Sequence, residues 1–341
     1  MSRPSLVVER PGLCSTLQDL GRFGYQRFGI SASGAMDGVS LRVANVLAGN
    51  APEAAALELT LTGLAATVQD APCRVALAGA DMPVSVNGSR LDGWRSIALE
   101  PGDRIEIGSS RSGLYAYLAV AGGFDVAPTL GSLSTHTRTA LGGFAGRALA
   151  EGDRLPLVGA PARPDTCLPG PSRASWGGPV RVVLGPQDDF FTAEGIATFL
   201  GSDYAVTGRT DRMGMHLDGP PLEHAQGFNI VSDGIMNGSV QVPGTGKPLI
   251  LLADRQTTGG YPKIATVIGP DLPLVAQRRP GETIRFVAVS PEEAEQAAHA
   301  HRRALAAMLE QIVPLATHAA APGSEALLAA NLVSGVWSAW D

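Results

Sequence analysis

Pro101-Gly-Asp-Arg-Ile-Glu-Ile107 places a glycine turn and an acidic residue ahead of alternating apolar and charged residues. Close variants of this pattern occupy residues 151–157 and 280–286. An alternation with a period of two predicts a strand with one buried face, and barrels and sandwiches reuse such short, turn-bounded strands. Because the pattern occurs in both halves of the chain, it predicts two related β-domains.

Other β-branched and aromatic runs lie between glycines and prolines, and they predict further strands. The predicted strands are Ala76–Ala78, Val84–Val86, Leu114–Val120, Val180–Leu184, Leu249–Leu252 and Ile284–Val287. Asn87-Gly88 follows one of these runs and predicts a hairpin turn. The sequence therefore indicates a mainly β protein.

Helices are predicted in four places. One runs from Asp37 to Leu47, with Gly49 as its C-cap, and another from Thr192 to Leu200. Ser290-Pro-Glu-Glu293 combines a serine N-cap, a proline at the first helical position and a glutamate three residues on, so it predicts the start of a helix that continues to about Val313. The last predicted helix covers residues 325–332.

The stretch 159–179 is rich in proline and glycine, as linkers are. It predicts an N-terminal β-barrel domain over 1–160, a linker over 161–178 and a second β-barrel domain over 179–290. Residues 291–341 are then expected to form a C-terminal helical segment. A loop inserted within one domain is the alternative for 159–179.

Composition excludes several classes of protein. With 341 residues, 45% of them hydrophobic and 17% charged, the chain can bury sizeable cores. A net charge of −6 without a basic run argues against nucleic-acid binding. Three widely spaced cysteines fit free thiols in a reducing cytosol, and the histidines have no metal-ligand spacing. No secretory signal or long apolar segment is evident, so we expect a cytoplasmic protein without a membrane partner.

The segment Asp254-Arg-Gln-Thr-Thr-Gly-Gly-Tyr-Pro-Lys263 concentrates polar groups around two glycines. Gly259 and Gly260 are expected to adopt left-handed conformations and to approach a ligand closely. Lys247 and Lys263 are the only two lysines of the chain, whereas every other basic residue is arginine. A compact ammonium group at these two positions indicates a functional site. A polar hairpin loop without function is the alternative.

The run Gly244-Thr-Gly-Lys247 is not a phosphate-binding loop. A Walker A motif would require glycine at Gln241 and serine or threonine at Pro248. The sequence therefore contains no recognisable nucleotide motif of its own.

Several further segments resemble a known family. They are Pro11-Gly-Leu-Cys-Ser-Thr-Leu-Gln-Asp-Leu-Gly-Arg22, Gly34-Ala-Met-Asp37, Ala44-Asn45, Gly49-Asn50, Leu57-Glu58, Tyr117-Leu-Ala-Val-Ala-Gly-Gly123, Gly131-Ser-Leu-Ser-Thr135, Gly185-Pro-Gln-Asp-Asp189, Asp211-Arg-Met-Gly214 and Val240-Gln-Val-Pro-Gly244. Together with the Gly-Gly segment, they resemble the biotin-dependent carboxyltransferase family. This family includes allophanate hydrolase subunit 2, the C subunit of 5-oxoprolinase and KipA.

The resemblance implies two cyclophilin-like β-barrel domains with a cleft between them. It also implies a KipI-like partner, which resembles allophanate hydrolase subunit 1, and in a 5-oxoprolinase a LamB/YcsF-like subunit as well. A small amide or lactam is the implied substrate. ATP is expected to act through the assembled complex, and biotin is the cofactor under the carboxyltransferase interpretation.

Amide chemistry requires donors aimed at developing negative charge and a base that takes a proton. The predicted catalytic residues are Asp254, Lys247, Tyr261 and Asp211. The predicted substrate-binding residues are Gln241, Gln256, Thr258, Gly259, Gly260, Arg212, Gln18, Asp37 and Asn45. Structural alternatives are an Asp19–Arg22 ion pair and, for Asp211-Arg212, a turn with an exposed salt bridge.

Three functions fit these patterns. The first is a subunit of an ATP-dependent 5-oxoprolinase, which opens 5-oxo-L-proline to L-glutamate. The second is a biotin-dependent carboxyltransferase acting on urea or a related amide. The third is a regulatory protein that binds a KipI-like partner without catalysis. The length of the free-standing chain favours the first.

Overall fold

The computed structural model describes residues 3–161, 163–170 and 176–315. Within these ranges the first half of the chain forms β1 Ser5–Arg10, β2 Cys14–Gln18, α1 Gly38–Ala48, β3 Ala56–Thr60, β4 Ala65–Gln69, β5 Cys73–Asp81, β6 Val84–Val86, β7 Ser89–Leu91, β8 Arg95–Leu99, β9 Arg104–Ile107, β10 Ser112–Val120, β11 Arg154–Pro156 and β12 Thr166–Cys167. The second half forms β13 Val180–Leu184, α2 Ala193–Gly201, β14 Asp203–Thr210, β15 Gly214–Asp218, β16 Asp233–Gly234, β17 Ser239–Gln241, β18 Leu249–Leu251, β19 Thr258–Gly259, β20 Lys263–Val267, α3 Leu272–Ala276, β21 Thr283–Ala288, α4 Pro291–Glu310 and β22 Val313–Pro314.

Two β-sheets, which we call the N-terminal sheet pair, contain the described strands of the first half. One has the strand order β11-β1-β4-β9-β6-β7, and the other has the order β2-β3-β10-β5-β8-β12-β22. Apolar side chains from both sheets share one core, with Leu6 and Val68 from the first and Leu57 and Leu118 from the second. The helix α1 packs on the opposite face of the second sheet, against β5 and β10.

The second half forms the C-terminal barrel, a closed barrel with the strand order β13-β20-β17-β18-β15-β14-β21. A parallel pairing between β13 and β21 closes it, with Val180 opposite Phe286. Phe286 stacks on Phe199 of α2 with ring centroids 4.5 Å apart. The mainly β prediction is confirmed. The two halves differ in closure. The second half closes into a barrel, whereas the described strands of the first half form two open sheets.

The repeated turn pattern leads into a strand in all three places, namely β9, β11 and β21. The turn glycines Gly102, Gly152 and Gly281 have φ values of 94°, 83° and 91°. Side chains other than glycine rarely adopt this left-handed region, which explains why glycine recurs in the pattern.

Three of the predicted helices are present. Asp37 caps α1 by accepting from the backbone N–H of Val39 and Ser40, both at 3.0 Å. The helix α4 begins with the predicted capping box, in which Ser290 and Glu293 each accept from the other's backbone N–H. The predicted helix over 325–332 lies outside the described residues. No described helix combines the length and apolarity that crossing a bilayer requires.

The side chain of Gln277 joins the barrel to the sheet pair. Its oxygen accepts from the backbone N–H of Leu114 at 2.7 Å and of Tyr115 at 3.0 Å. Its amide nitrogen donates to Asp37 Oδ2 at 2.8 Å. Within the predicted linker, β12 pairs with β8 of the sheet pair. The division of the chain into domains stays a prediction.

Candidate functional site

A cleft lies between the N-terminal sheet pair and the C-terminal barrel. Its cavity measures about 350 Å³, within the range typical of small-molecule sites. Its lining includes the side chains of Cys14, Tyr115, Arg138, Asp211, Arg212 and Asp254. Residues from both halves of the chain therefore form one concave surface.

A buried ion triad of Glu58, Arg212 and Asp254 joins the two sides of this cleft. Arg212 donates from Nε and Nη2 to the two oxygens of Asp254, at 2.8 and 3.0 Å. Its Nη1 donates to Glu58, and its Nη2 also donates to the carbonyl of Gly34 at 2.7 Å. All three side chains are at most 8% exposed. Burial acts against the charge, but Asp254 and Glu58 raise the pKa of Arg212 well above its ordinary value.

The triad continues into the sheet pair through hydrogen bonds. Glu58 Oε2 accepts from the Tyr117 hydroxyl at 2.6 Å and from the Met36 N–H at 2.8 Å. The Tyr117 hydroxyl in turn accepts from the Asp37 N–H at 2.8 Å. Every partner is buried, so the network fixes Glu58 and with it the orientation of Arg212.

Two side chains of the sheet pair offer reactive atoms to the cleft. The Tyr115 hydroxyl has no hydrogen-bond partner among the described residues. Burial, followed by the charge of Glu58, raises the pKa of Tyr115, so the phenol stays protonated and remains a donor at neutral pH. The same two causes raise the pKa of the Cys14 thiol, with Arg212 opposing them.

His136 also reaches the site. Its Nε2 lies 3.4 Å from the backbone oxygen of Asp254, and its Nδ1 lies 2.8 Å from Thr139 Oγ1. Nearby, Arg138 and Asp211 form an exposed pair at 3.4 Å across the rim. Asp211 also accepts from the Met213 N–H at 2.8 Å and the Gly214 N–H at 3.2 Å. Asp211 therefore makes the contacts of the structural alternative, namely those of a turn with an exposed salt bridge.

Lys247 does not join the cleft, contrary to expectation. Its Nζ donates to Asp218 Oδ1 at 2.9 Å and to the carbonyl of Gly219. Asp218, the partner of Lys247, is the last residue of β15. The first residue of that strand, Gly214, lies opposite Leu251, which precedes Asp254 by three residues. Since a strand rises about 3.3 Å per residue, the end of β15 near Lys247 is roughly 13 Å from the end near Asp254. The ammonium is neutralised there by an exposed carboxylate.

The Gly-Gly segment divides among several places. Gln256 lines a neighbouring cavity of about 450 Å³ that shares Asp211 and Arg138 with the cleft. Thr258 and Gly259 form β19, which pairs with β16.

Gln241 and Tyr261 are not among the residues that line the cleft with Asp254. The side chain of Gln241 is buried and donates to the Tyr261 backbone oxygen at 3.3 Å, while the Tyr261 side chain is 41% exposed. Neither Gly259 nor Gly260 has a positive φ, so the expected left-handed conformations are absent. Gly259 still packs closely, because a Cβ there would lie 2.6 Å from Gln241 Nε2 and would displace the end of that side chain.

Asp37 and Asn45 serve the fold. Besides its two caps, Asp37 accepts from Ser40 Oγ and Gln277 Nε2, so both of its oxygens are occupied. Asn45 donates to the carbonyls of Leu41 and Ala54 and accepts from Asn50. Both side chains are fully buried, and a substrate would have to break these bonds to reach them.

Three residues predicted from the sequence, Asp254, Arg212 and Asp211, thus line one cleft. Their neighbours Glu58, Tyr115 and His136 were not predicted. One sequence feature could have drawn attention to Glu58. It is the one charged residue of the strand Ala56–Thr60, and both of its neighbours are buried leucines. A charged side chain in such a strand needs a buried partner. In the described part of the chain, no group of three His, Cys, Asp or Glu side chains is placed to hold a metal ion.

Comparison with known proteins identifies the family. The model of the carboxyltransferase domain, subdomains A and B, matches residues 28–288. The chain belongs to the carboxyltransferase domain family. Over 300 residues this carboxyltransferase domain is 39% identical to the C subunit of 5-oxoprolinase from Escherichia coli (strain K12), a match that covers 87% of the chain and 96% of the relative.

Longer relatives share the same unit. The urea amidolyase of Lachancea kluyveri is 33% identical over 315 residues, which cover 85% of this carboxyltransferase domain but 17% of the relative. The crystal structure of the K. lactis urea amidolyase matches with a TM-score of 0.83 at 29% identity, covering 92% of the chain and 21% of the solved one. The carboxyltransferase domain thus spans about a fifth of that enzyme's length.

Proposed function

We propose that the chain is a subunit of a heteromeric, ATP-dependent 5-oxoprolinase that opens 5-oxo-L-proline to L-glutamate. This proposal depends mainly on the match to the C subunit of 5-oxoprolinase, which covers 87% of the chain and 96% of that relative. The three cysteines are free thiols, as is usual in a reducing compartment, so we place this complex in the cytoplasm.

The proposed site is the floor of the cleft around Asp254 and Tyr115. In lactam opening, water adds to the carbonyl carbon, the carbon–nitrogen bond breaks, and the ring nitrogen gains a proton. A neutral phenol is suited to donate to the oxygen that becomes negative, because donors placed in a water-poor site stabilise such charge strongly. Asp254 retains free lone pairs beside its bonds to Arg212, so it is the proposed base. Asp211, Gln256 and His136 are the proposed rim contacts.

The complex is proposed to include a KipI-like subunit and a LamB/YcsF-like subunit. ATP is assigned to this assembly. The one glycine-rich run that ends in lysine, at residues 244–247, has its lysine engaged by Asp218 and Gly219. That arrangement leaves no free ammonium for a phosphate group.

Reconstitution tests this function. The chain alone, each pair of subunits and the full set are incubated with 5-oxo-L-proline and ATP, and L-glutamate and ADP are measured. Glutamate should form only with the full set. An inactive full set would refute the proposal, and rapid turnover by the isolated chain would refute the dependence on partners.

A second candidate is a biotin-dependent carboxyltransferase acting on urea or a related amide. The TM-score of 0.83 with the K. lactis urea amidolyase favours it. Under this alternative the cleft receives carboxybiotin from a separate carrier. Urea-dependent consumption of carboxybiotin by the purified chain, together with an inactive reconstituted 5-oxoprolinase, would establish this function instead.

A further inference from the structure

Arg22 is a buried cation with most of its donors unused. The residue follows β2 and is 2% exposed. Its Nη2 donates to the Ser134 carbonyl, but Nε and Nη1 have no hydrogen-bond partner among the described residues. Burial lowers the pKa of Arg22, while the charges of Asp19 and Asp254 act in the opposite direction. This environment is unfavourable for a guanidinium without a counter-ion.

The ion pair with Asp19, which was the structural alternative for Arg22, does not form. Asp19 accepts instead from Ser132 Oγ at 2.7 Å, from the Leu133 N–H at 2.7 Å and from the Gly21 N–H at 2.8 Å. Buried guanidinium groups in proteins are almost always paired with an anion, to which they offer a planar fork of donors. The free edge of Arg22 therefore lacks the partner that its burial requires.

Gln18 supplies an unused acceptor close by. Its Nε2 donates to the Thr135 carbonyl at 3.0 Å and to Thr16 Oγ1 at 2.9 Å. Because a carbonyl only accepts, the amide nitrogen must face Thr135, which leaves Oε1 as the free atom. Oε1 is buried and has no partner in the described part of the chain. Gln18 and Arg22 thus hold two consecutive carbonyls, those of Thr135 and Ser134, with their remaining polar atoms free.

The same short segment leads to the cleft. His136 follows Ser134 and Thr135, and its ring lies 3.4 Å from the backbone oxygen of Asp254. Three successive residues therefore contact Arg22, Gln18 and Asp254 in turn. Two residues of chain span at most roughly 7 Å, so the backbone contacts of Arg22 and of His136 lie within about the length of a small ring compound with one substituent.

We propose that Arg22 and Gln18 form a subsite for a small carboxylate that carries an N–H group on the neighbouring carbon. Arg22 Nε and Nη1 donate to the carboxylate, and Gln18 Oε1 accepts the N–H. A lactam amino acid such as 5-oxo-L-proline has this arrangement, and its ring carbonyl would then face Asp254 and Tyr115. This inference rests on the proposed function, since it assigns the substrate's carboxylate to a place beside the same cleft.

Binding to the full chain, without partners or ATP, tests the subsite. Isothermal titration compares 5-oxo-L-proline with 2-pyrrolidinone, the same lactam without the carboxylate. We expect 5-oxo-L-proline to bind at least about tenfold more tightly, because a charge-assisted pair is lost in the other ligand. Equal binding of the two ligands, or binding of neither, would overturn the proposal and would leave ordered water as the partner of Arg22.

The variant Arg22→Met separates a ligand contact from a structural one. It should weaken 5-oxo-L-proline binding by about tenfold or more. The melting temperature of the ligand-free chain should change little, because removal of a buried charge without a counter-ion offsets the loss of the hydrogen bond to the Ser134 carbonyl. Arg27→Met is the matched control, since Arg27 is exposed in the same loop, and it should bind as the wild type does. Wild-type affinity in Arg22→Met would refute the subsite.

The outcome is distinguishable from failure of the proposed function. If the reconstituted complex makes no glutamate while the chain binds carboxylated lactams through Arg22, the function fails and the subsite stands. If the complex is active and Arg22→Met leaves its KM unchanged, the function stands and the subsite fails. Should Arg22→Met not fold, the comparison of the two ligands on the wild-type chain still decides.

Discussion

The variant Arg212→Met should destabilise the protein strongly, because it leaves two buried carboxylates without their shared cation. Glu58 and Asp254 are 1% and 4% exposed, so little water can reach them to replace the charge and hydrogen bonds of Arg212. Removing one partner from a buried ion pair typically costs about 3–5 kcal/mol. An unfolding entropy of about 2.1 cal/mol/K per residue gives ~0.7 kcal/mol/K for 341 residues. The melting temperature should then fall by roughly 4–7 °C.

Urea unfolding and thermal melts followed by circular dichroism measure this loss. Arg138→Met is the matched control, because Arg138 also pairs across the cleft, with Asp211, but both side chains are more than half exposed. Such surface pairs contribute about 0–1 kcal/mol. If both variants lose the same small free energy of unfolding, the triad does not hold the sheet pair and the barrel together, and the reasoning from burial is wrong.

Three further predictions concern single side chains. Tyr115→Phe should lower the turnover of the reconstituted complex by about 10²–10³-fold while leaving the melting temperature nearly unchanged, as expected for the loss of one placed donor; full activity would exclude this role. Lys247→Met should keep the activity and change stability by about 1 kcal/mol or less, because its ion pair is exposed and remote from Asp254; an inactive variant would restore Lys247 to the site. Burial, followed by Arg42, lowers the pKa of His301 below its ordinary 6.5, so the native state favours the neutral ring and loses stability as the pH falls below about 6.5. His301→Gln should flatten the melting temperature between pH 7 and 5, and an unchanged slope would refute this.

The sequence predicted strands far better than it predicted the site. Short turn-bounded runs such as Val84–Val86 and Val180–Leu184 match β6 and β13 residue for residue. Local alternation and turn glycines determine such elements, and both are visible in a single sequence. Whether the first half closes into a barrel depends instead on pairings between distant strands, such as β12 with β22, which local patterns do not encode.

The Gly-Gly segment shows why the site was harder to predict. Its polar residues are neighbours in sequence, but its backbone is not one continuous strand, because Asp254 lies in a turn and only Thr258 and Gly259 form β19. Asp254 lines the cleft while Tyr261 is exposed, and Gly259 packs against Gln241. The residues that meet the Arg212–Asp254 pair come from distant positions, with Glu58 on β3 bound to Arg212 and His136, after the 131–135 loop, beside the Asp254 backbone. Nothing in their spacing along the chain indicates this contact.

The triad also limits which variants can assign a catalytic role. Asp254 binds Arg212 through both oxygens and receives a contact from His136 through its backbone, so Asp254→Ala removes the proposed base and half of a buried ion network at once. Loss of activity in that variant would follow from either change. Tyr115 and Arg22 differ, because the atoms assigned to the ligand make no hydrogen bond among the described residues. Replacing either side chain leaves the triad intact, and Arg22→Met additionally removes one hydrogen bond, to the Ser134 carbonyl. A defect confined to binding or turnover in these two variants is therefore the direct evidence for a site, and Asp254 is best judged against them.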